Sequence, residues 1–160
     1  VIAALEGNTF GGGCEIAMAC DIRFMSEEGM IGLPEINLGV FPGSGGLYRL
    51  ARYVGVAKAY ELLYTGRIID AKEALEIGLV NGLAPKGKTE ERAMELANEI
   101  ASKPFEAIKL IKRGVRELWQ KTTEENFRPN LDFSKTVFKT PDCAEGVDAF
   151  INKREPNFNR

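Results

Sequence analysis

Histidine is absent from the 160 residues. Within this chain that removes the Ser-His-Asp triad, the Cys-His pair and histidine-ligated zinc. Acid–base chemistry must then come from carboxylates, lysine, tyrosine, cysteine or backbone groups. Cysteine is scarce: Cys14, Cys20 and Cys143 are odd in number and lack metal-type spacing, so they read as buried thiols of a reducing compartment. No apolar run approaches the roughly 20 residues that span a bilayer, and no signal peptide is legible. A formal net charge of −2 offers no basic surface to nucleic acid or to a membrane. What remains is the composition of an ordinary globular protein, long enough for one domain with a real core and expected in the cytoplasm.

The chain begins with "VIAALEG", a run without alternation that reads as a strand covered on both faces. The strand reads as already in progress at Val1, which predicts that the chain is a piece of something longer, or was processed. After the turn residues Gly7 and Asn8, three glycines lead into a helix over about 12–20, apolar nearly all round and therefore expected to be buried. Strands are predicted over 22–25 and 30–33. "PEINLGVFPGSGG", from Pro34 to Gly46, is a loop rich in glycine and proline yet apolar, which predicts a packed, functional loop. A helix follows, with Leu47, Leu50, Ala51 and Val54 on one face and Gly55 to end it. A second is closed by Gly66, and Asp70 with Glu73 forms the start signal of a short third. The back half reads as helical over about 89–102, 104–119, 123–138 and 141–153, with a kink expected at Pro129. Tyr48, Tyr60 and Tyr64 read as core or boundary aromatics, and Ile108, Ile111, Val115 and Leu118 as an apolar stripe.

Chemistry concentrates in "GNTFGGGCEIAMACD" at 7–21. Three glycines let a backbone approach a ligand and present bare N–H groups. At a helix N-terminus those groups have no intrahelical partner, and the dipole there favours negative charge. This is the physics of an oxyanion hole. Glu15 lies about one turn into that helix, where burial and the helix terminus act on a carboxylate in opposite directions. The plainer alternative is that Gly11–Gly13 only allow close packing and that Glu15 caps the helix or pairs with a buried arginine. Glu35 poses the same choice inside the apolar loop, between a reacting acid and a carboxylate that satisfies loop N–H groups. Together, two acids in apolar settings beside a glycine donor loop can divide acid and base roles. "GSGG" at 43–46 lacks the phosphate-loop pattern and reads as a packed helix start.

"IAALEGNTFGGGCEIAMACDIRF" followed by "IGLPEINLGVFPGSGGLYRLARYVG" resembles the enoyl-CoA hydratase/isomerase (crotonase) family. The resemblance continues through "LLYTGRIIDAKEALEIGLVNGL" and "EGVDAFINKREPNF" to cover essentially the whole chain. It implies an α/β fold, the C-terminal portion of a crotonase-like ββα superhelix, with a helical C-terminal region that takes part in oligomerisation. Residues 1–85 would be core and active-site loops, and 86–160 the lid and oligomerisation region. The substrate would be an acyl-CoA thioester. Gly12 would supply one oxyanion N–H, and Glu15 and Glu35 match the positions that are both glutamate in true hydratases. Gly11, Gly13, Pro34, Leu38, Gly43, Tyr48 and Lys153 would line the substrate, Lys153 reaching the nucleotide of a coenzyme A bound to a neighbouring subunit. No metal and no redox cofactor is implied, because coenzyme A is part of the substrate. A homotrimer or dimer of trimers is implied, with no nucleic acid and no membrane partner.

The chain departs from the family pattern in three places. The family's N-terminal half, which carries the other oxyanion N–H and much of the coenzyme A surface, is absent. "GGLYRL" stands where "GGTQRL" is commoner, so Leu47 and Tyr48 bear on acyl-chain preference. Pro129 falls in a helix that is usually regular. Two other functions stay open beside hydration: a Δ3-Δ2-enoyl-CoA isomerase, and a non-catalytic acyl-CoA-binding or assembly subunit.

Overall fold

The computed structural model describes residues 1–118, 132 and 135–158. The expected kink at Pro129 and most of the helix over 123–138 lie outside the described residues. The chain forms two compact units, Val1–Ala97 and Asn98–Arg160.

The first unit opens with β1 (Ile2–Leu5), β2 (Thr9–Phe10), α1 (Gly12–Ala19), β3 (Ile22–Ser26) and β4 (Met30–Gly32). A single 3₁₀ turn of helix, Pro34–Leu38, follows β4. Then come α2 (Gly46–Val54), α3 (Val56–Thr65), β5 (Ile69–Asp70), α4 (Ala71–Glu76), β6 (Gly82–Ala84) and the larger part of α5 (Thr89–Ala101). One sheet has the order β1-β3-β6, all parallel, with Ile2 opposite Ile22 and Phe24 opposite Gly82. Parallel neighbours need crossovers, and α1 forms part of the one from β1 to β3. In the other sheet β4 lies between β2, parallel to it, and β5, antiparallel. This is the mixed α/β class expected.

Met18, Met25, Ile31, Ile69 and Leu79 are buried almost completely, and Leu33, Leu50 and Leu62 pack with them. Each large apolar side chain removed from water contributes about 1.5–3 kcal/mol. That core backs one side of α1, through Cys14, Ala17 and Met18. The opposite side is open, with Ile16 71 % exposed, so α1 is not buried all round. The loop before α2 differs from expectation in the same way. Pro42 and Gly46 are buried, but Leu38, Val40 and Phe41 face outward. Tyr48, Tyr60 and Tyr64 are also exposed rather than core, the last two stacked with ring centres 5.2 Å apart. Among the described residues these apolar side chains therefore lie on the surface, not in the core.

The second unit includes α6 (Phe105–Leu118) and α7 (Pro141–Ile151). Thr140 caps α7 by accepting from the Cys143 N–H at 3.2 Å, and Pro141 takes the first helical position. On α6, Ile111 and Val115 are exposed. All three cysteines are free thiols, with Cys14 buried and the other two half-buried. Among the described residues no helix is long and apolar enough to cross a membrane, and no cluster of metal-binding side chains occurs.

Candidate active site

The site is built on the N-terminus of α1. β2 ends at Phe10, and Gly11 turns the chain with φ +53° and ψ −125°, a backbone that disfavours any side chain. Its N–H donates to the Gly32 carbonyl at the end of β4, 3.0 Å away, which anchors the turn to the second sheet. Its carbonyl accepts the first helical hydrogen bond, from Glu15 N at 3.0 Å. The N–H groups of Gly12 and Gly13 precede that bond and have no intrahelical acceptor. Gly12 is exposed, and a Cβ added there would meet nothing within 4 Å. A donor without an intrahelical acceptor on an exposed glycine, at the positive end of a helix, suits an anionic oxygen.

Glu15 is 4 % exposed and held firmly. Its Oε1 accepts from the backbone N–H groups of Ser44 at 2.7 Å and Gly46 at 2.8 Å. Both donors flank Gly45, whose φ of +104° turns them toward the same oxygen. The carboxylate therefore does not cap its own helix. Nor does it take a buried arginine: that arginine exists, but at the other end of α1. Arg23 is 2 % exposed and donates to the carbonyls of Cys20 and Leu79, each at 2.8 Å. Tyr53 donates to the Met18 carbonyl at 3.0 Å, and the Arg23 guanidinium lies 4.1 Å from the centre of its ring. A cation among the last carbonyls complements the helix dipole and ties down the end remote from the chemistry.

Glu35 stands in the first turn of the 3₁₀ helix, directly after Pro34. Its Oε1 lies against Gly11, 3.3 Å from where a Cβ would stand. Its Oε2 is buried and has no hydrogen-bond partner among the described residues. This is not a carboxylate that satisfies loop N–H groups. Cys14, next to Glu15, is pushed up to about 12, first by burial and then by the charges of Glu35 and Glu15. Its thiol stays protonated and inert at neutral pH.

The structure thus brings Gly11, Gly12, Gly13, Glu15, Glu35 and the turn over 43–46 into one place. Pro34 starts the element that carries Glu35, and Gly43 lies exposed on the turn, with free space where a Cβ would be. Leu38 ends the same 3₁₀ turn and is 81 % exposed. Tyr48 is exposed near the start of α2 with two guanidinium groups, of Arg49 and Arg52, over its ring. Lys153 belongs to the second unit, where it is exposed and has a left-handed backbone, φ 51°. Reading the sequence missed the Ser44 and Gly46 donors, because backbone groups leave no residue-type signature. It also missed Arg23 and Tyr53, although one arginine inside the apolar run "IRFM" was a visible signal. Chemically, the arrangement can hold a developing anionic oxygen on main-chain donors and move protons with one pinned and one unpartnered carboxylate.

The sequence profile described as enoyl-CoA hydratase/isomerase matches residues 1–160. A crotonyl-CoA hydratase of Syntrophomonas wolfei is 40 % identical over 158 residues, covering 99 % of this chain and 61 % of that protein. A short-chain-enoyl-CoA hydratase of Clostridium acetobutylicum is 41 % identical over 155 residues, covering 97 % and 59 %. The crystal structure of an enoyl-CoA hydratase from Bacillus anthracis superposes with a TM-score of 0.95 at 41 % identity, covering 99 % of this chain and 61 % of that one. The chain spans about three-fifths of the length of these relatives. Matched by that profile along its whole length, and by these relatives in sequence and fold, the chain belongs to the enoyl-CoA hydratase/isomerase family.

Proposed function

We propose that the protein adds water to a trans-2-enoyl-CoA thioester, giving a 3-hydroxyacyl-CoA. The observation that carries this reading is the unequal pair of carboxylates. Glu15 spends one oxygen on two N–H donors, while Glu35 keeps a buried oxygen without a partner beside Gly11. A water held between two such acids is oriented for Cβ. One acid takes its proton as the oxygen adds, and a proton is delivered to Cα on the same face. The thioester oxygen, as it gains enolate charge, is held by the Gly12 N–H and by a second N–H from the part of the family fold that this chain does not span. Hydrogen bonds then carry the electrostatic work, with coenzyme A as part of the substrate and no added cofactor. The relatives named as crotonyl-CoA and short-chain-enoyl-CoA hydratases support a short acyl chain.

The exposed apolar residues, among them Phe41, Tyr64 and Ile111, support a homo-oligomer, a trimer or dimer of trimers, in which the region from 86 onward takes part. A place in the cytoplasm fits the free thiols. An isomerase of the same family would move one proton within a 3-enoyl thioester and leave the second acid without work.

The test is hydration of crotonyl-CoA by the full-length protein, followed by loss of the enoyl-thioester absorbance. Glu15→Gln and Glu35→Gln are each expected to lower kcat by about 10²–10⁴-fold, with binding of a coenzyme A product kept. Turnover of 3-enoyl substrates without uptake of oxygen-18 from solvent would establish the isomerase instead. Coenzyme A binding without any turnover would establish a binding subunit.

A further inference from the structure

The turn that holds Glu15 is itself held. The Ser44–Gly45 peptide lies between the two peptides whose N–H groups donate to Glu15 Oε1. Its carbonyl, that of Ser44, accepts from Arg49 Nη1 at 2.8 Å. A peptide unit is a rigid plane, so a bond to its carbonyl restricts the rotation of both neighbours. Gly45 leaves room for this contact, since a Cβ there would run into the Arg49 guanidinium. Arg49 is braced in turn. Its guanidinium carbon lies 4.9 Å from the centre of the Tyr48 ring, and that of Arg52 lies 5.0 Å from the same ring. A planar guanidinium that both stacks and donates has little freedom left.

We infer that Arg49 is a positioning residue of the active site: braced by Tyr48, it fixes the Ser44–Gly45 peptide and so aims the paired N–H groups at Glu15. Neither side chain need touch the substrate for this. Loss of Arg49 frees the peptide to rotate, and Glu15 then loses both its donors together rather than one. The inference also gives the "LYR" sequence of α2 a use. Tyr48, whose residue type departs from the family pattern, offers the ring on which Arg49 rests.

The kinetic half of the test rests on the hydratase reading, and a second measurement does not. In the full-length protein, Arg49→Met is expected to lower kcat for crotonyl-CoA by about ten- to a hundredfold, the scale of a 1 Å misplacement. KM should stay within about twofold, because only transition-state interactions are lost. Arg49→Lys, which keeps a donor but not the stacking plane, should recover part of the loss, Tyr48→Leu should show a smaller part of it, and Arg49→Met added to Glu15→Gln should cost nothing further. Independently of turnover, amide hydrogen exchange at Ser44 and Gly46 should quicken in Arg49→Met, as is expected of Glu15→Ala, which removes the acceptor. Arg49→Met with kcat and exchange unchanged overturns the inference. So does a loss of thermal stability with full kcat per folded molecule, or a loss of kcat that lysine does not recover even in part. If the wild-type protein turns over no crotonyl-CoA, the hydratase reading falls, and the exchange rates alone decide the role of Arg49.

Discussion

Gly46→Ala is the smallest change that probes the site and the core at once. Gly46 is buried at the first position of α2 and donates to Glu15 at 2.8 Å. A Cβ there would lie 2.6 Å from Pro42 Cβ, 3.0 Å from Leu33 Cδ1 and 3.1 Å from Glu15 Oε1. Proline cannot yield by changing rotamer, so the backbone of the turn must move. Overpacking of this kind costs about 1–3 kcal/mol. Alanine recovers up to about 1 kcal/mol of that through lower chain entropy in a helix. The net expectation is a loss of about 1–2 kcal/mol, which lowers Tm by about 2–8 °C in a protein of this size class. The same movement lengthens a bond to the pinned carboxylate, so kcat should fall about tenfold or more while KM changes little. Differential scanning calorimetry and steady-state hydration of crotonyl-CoA read the two effects. Gly43→Ala is the stability control, because its Cβ would meet nothing within 4 Å and its φ is ordinary. A Gly46→Ala protein with the Tm and kcat of the wild type would refute the reasoning, as would a Gly43→Ala protein that melts as early.

Two further predictions concern the supports of the fold. Arg23→Leu leaves the carbonyls of Cys20 and Leu79 without their donor, and at about 1–3 kcal/mol for each buried orphan it should cost about 3 kcal/mol in denaturant unfolding; a loss below about 1 kcal/mol would show that the carbonyls find other partners. In the second unit, the Arg154 guanidinium, aided by the Asn157 N–H, holds Glu145 down to about 2. A depressed carboxylate stabilises the fold fully above its ordinary 4.5 and loses that contribution as pH falls toward 2. The Asn157 amide should thus keep its protection at pH 4 and lose it only near pH 2, and NMR titration showing Glu145 at its ordinary value would contradict the pairing.

Much of the site was legible because its signals are local. Three glycines before an apolar run mark a helix start, and α1 begins at Gly12. Asp70 followed by Glu73 marks another, and the Asp70 carboxylate accepts from Glu73 N at 2.8 Å. The side chain of Glu73 does not reach back, however, but pairs with Arg67 at 2.6 Å, a partner that local spacing cannot reveal. β2 and β5 have two residues each, too few for alternation to show. The 3₁₀ turn after Pro34 is shorter than any periodic window. The outward-facing Leu38, Val40 and Phe41 defeat the reading for a different reason. Hydrophobicity does not by itself say whether a side chain lies in the core or on the surface.

The donors that hold Glu15 belong to the main chain, and every amino acid except proline carries such an N–H. Position 44 can thus change its side chain by a single base substitution without altering the contact. Position 45 has no such liberty, since its backbone admits glycine alone at low cost. Heritable variation at this turn is thereby sorted into two classes. Glycine is held at position 45 by its backbone, whereas the side chain of Ser44 can vary without moving the N–H that holds Glu15.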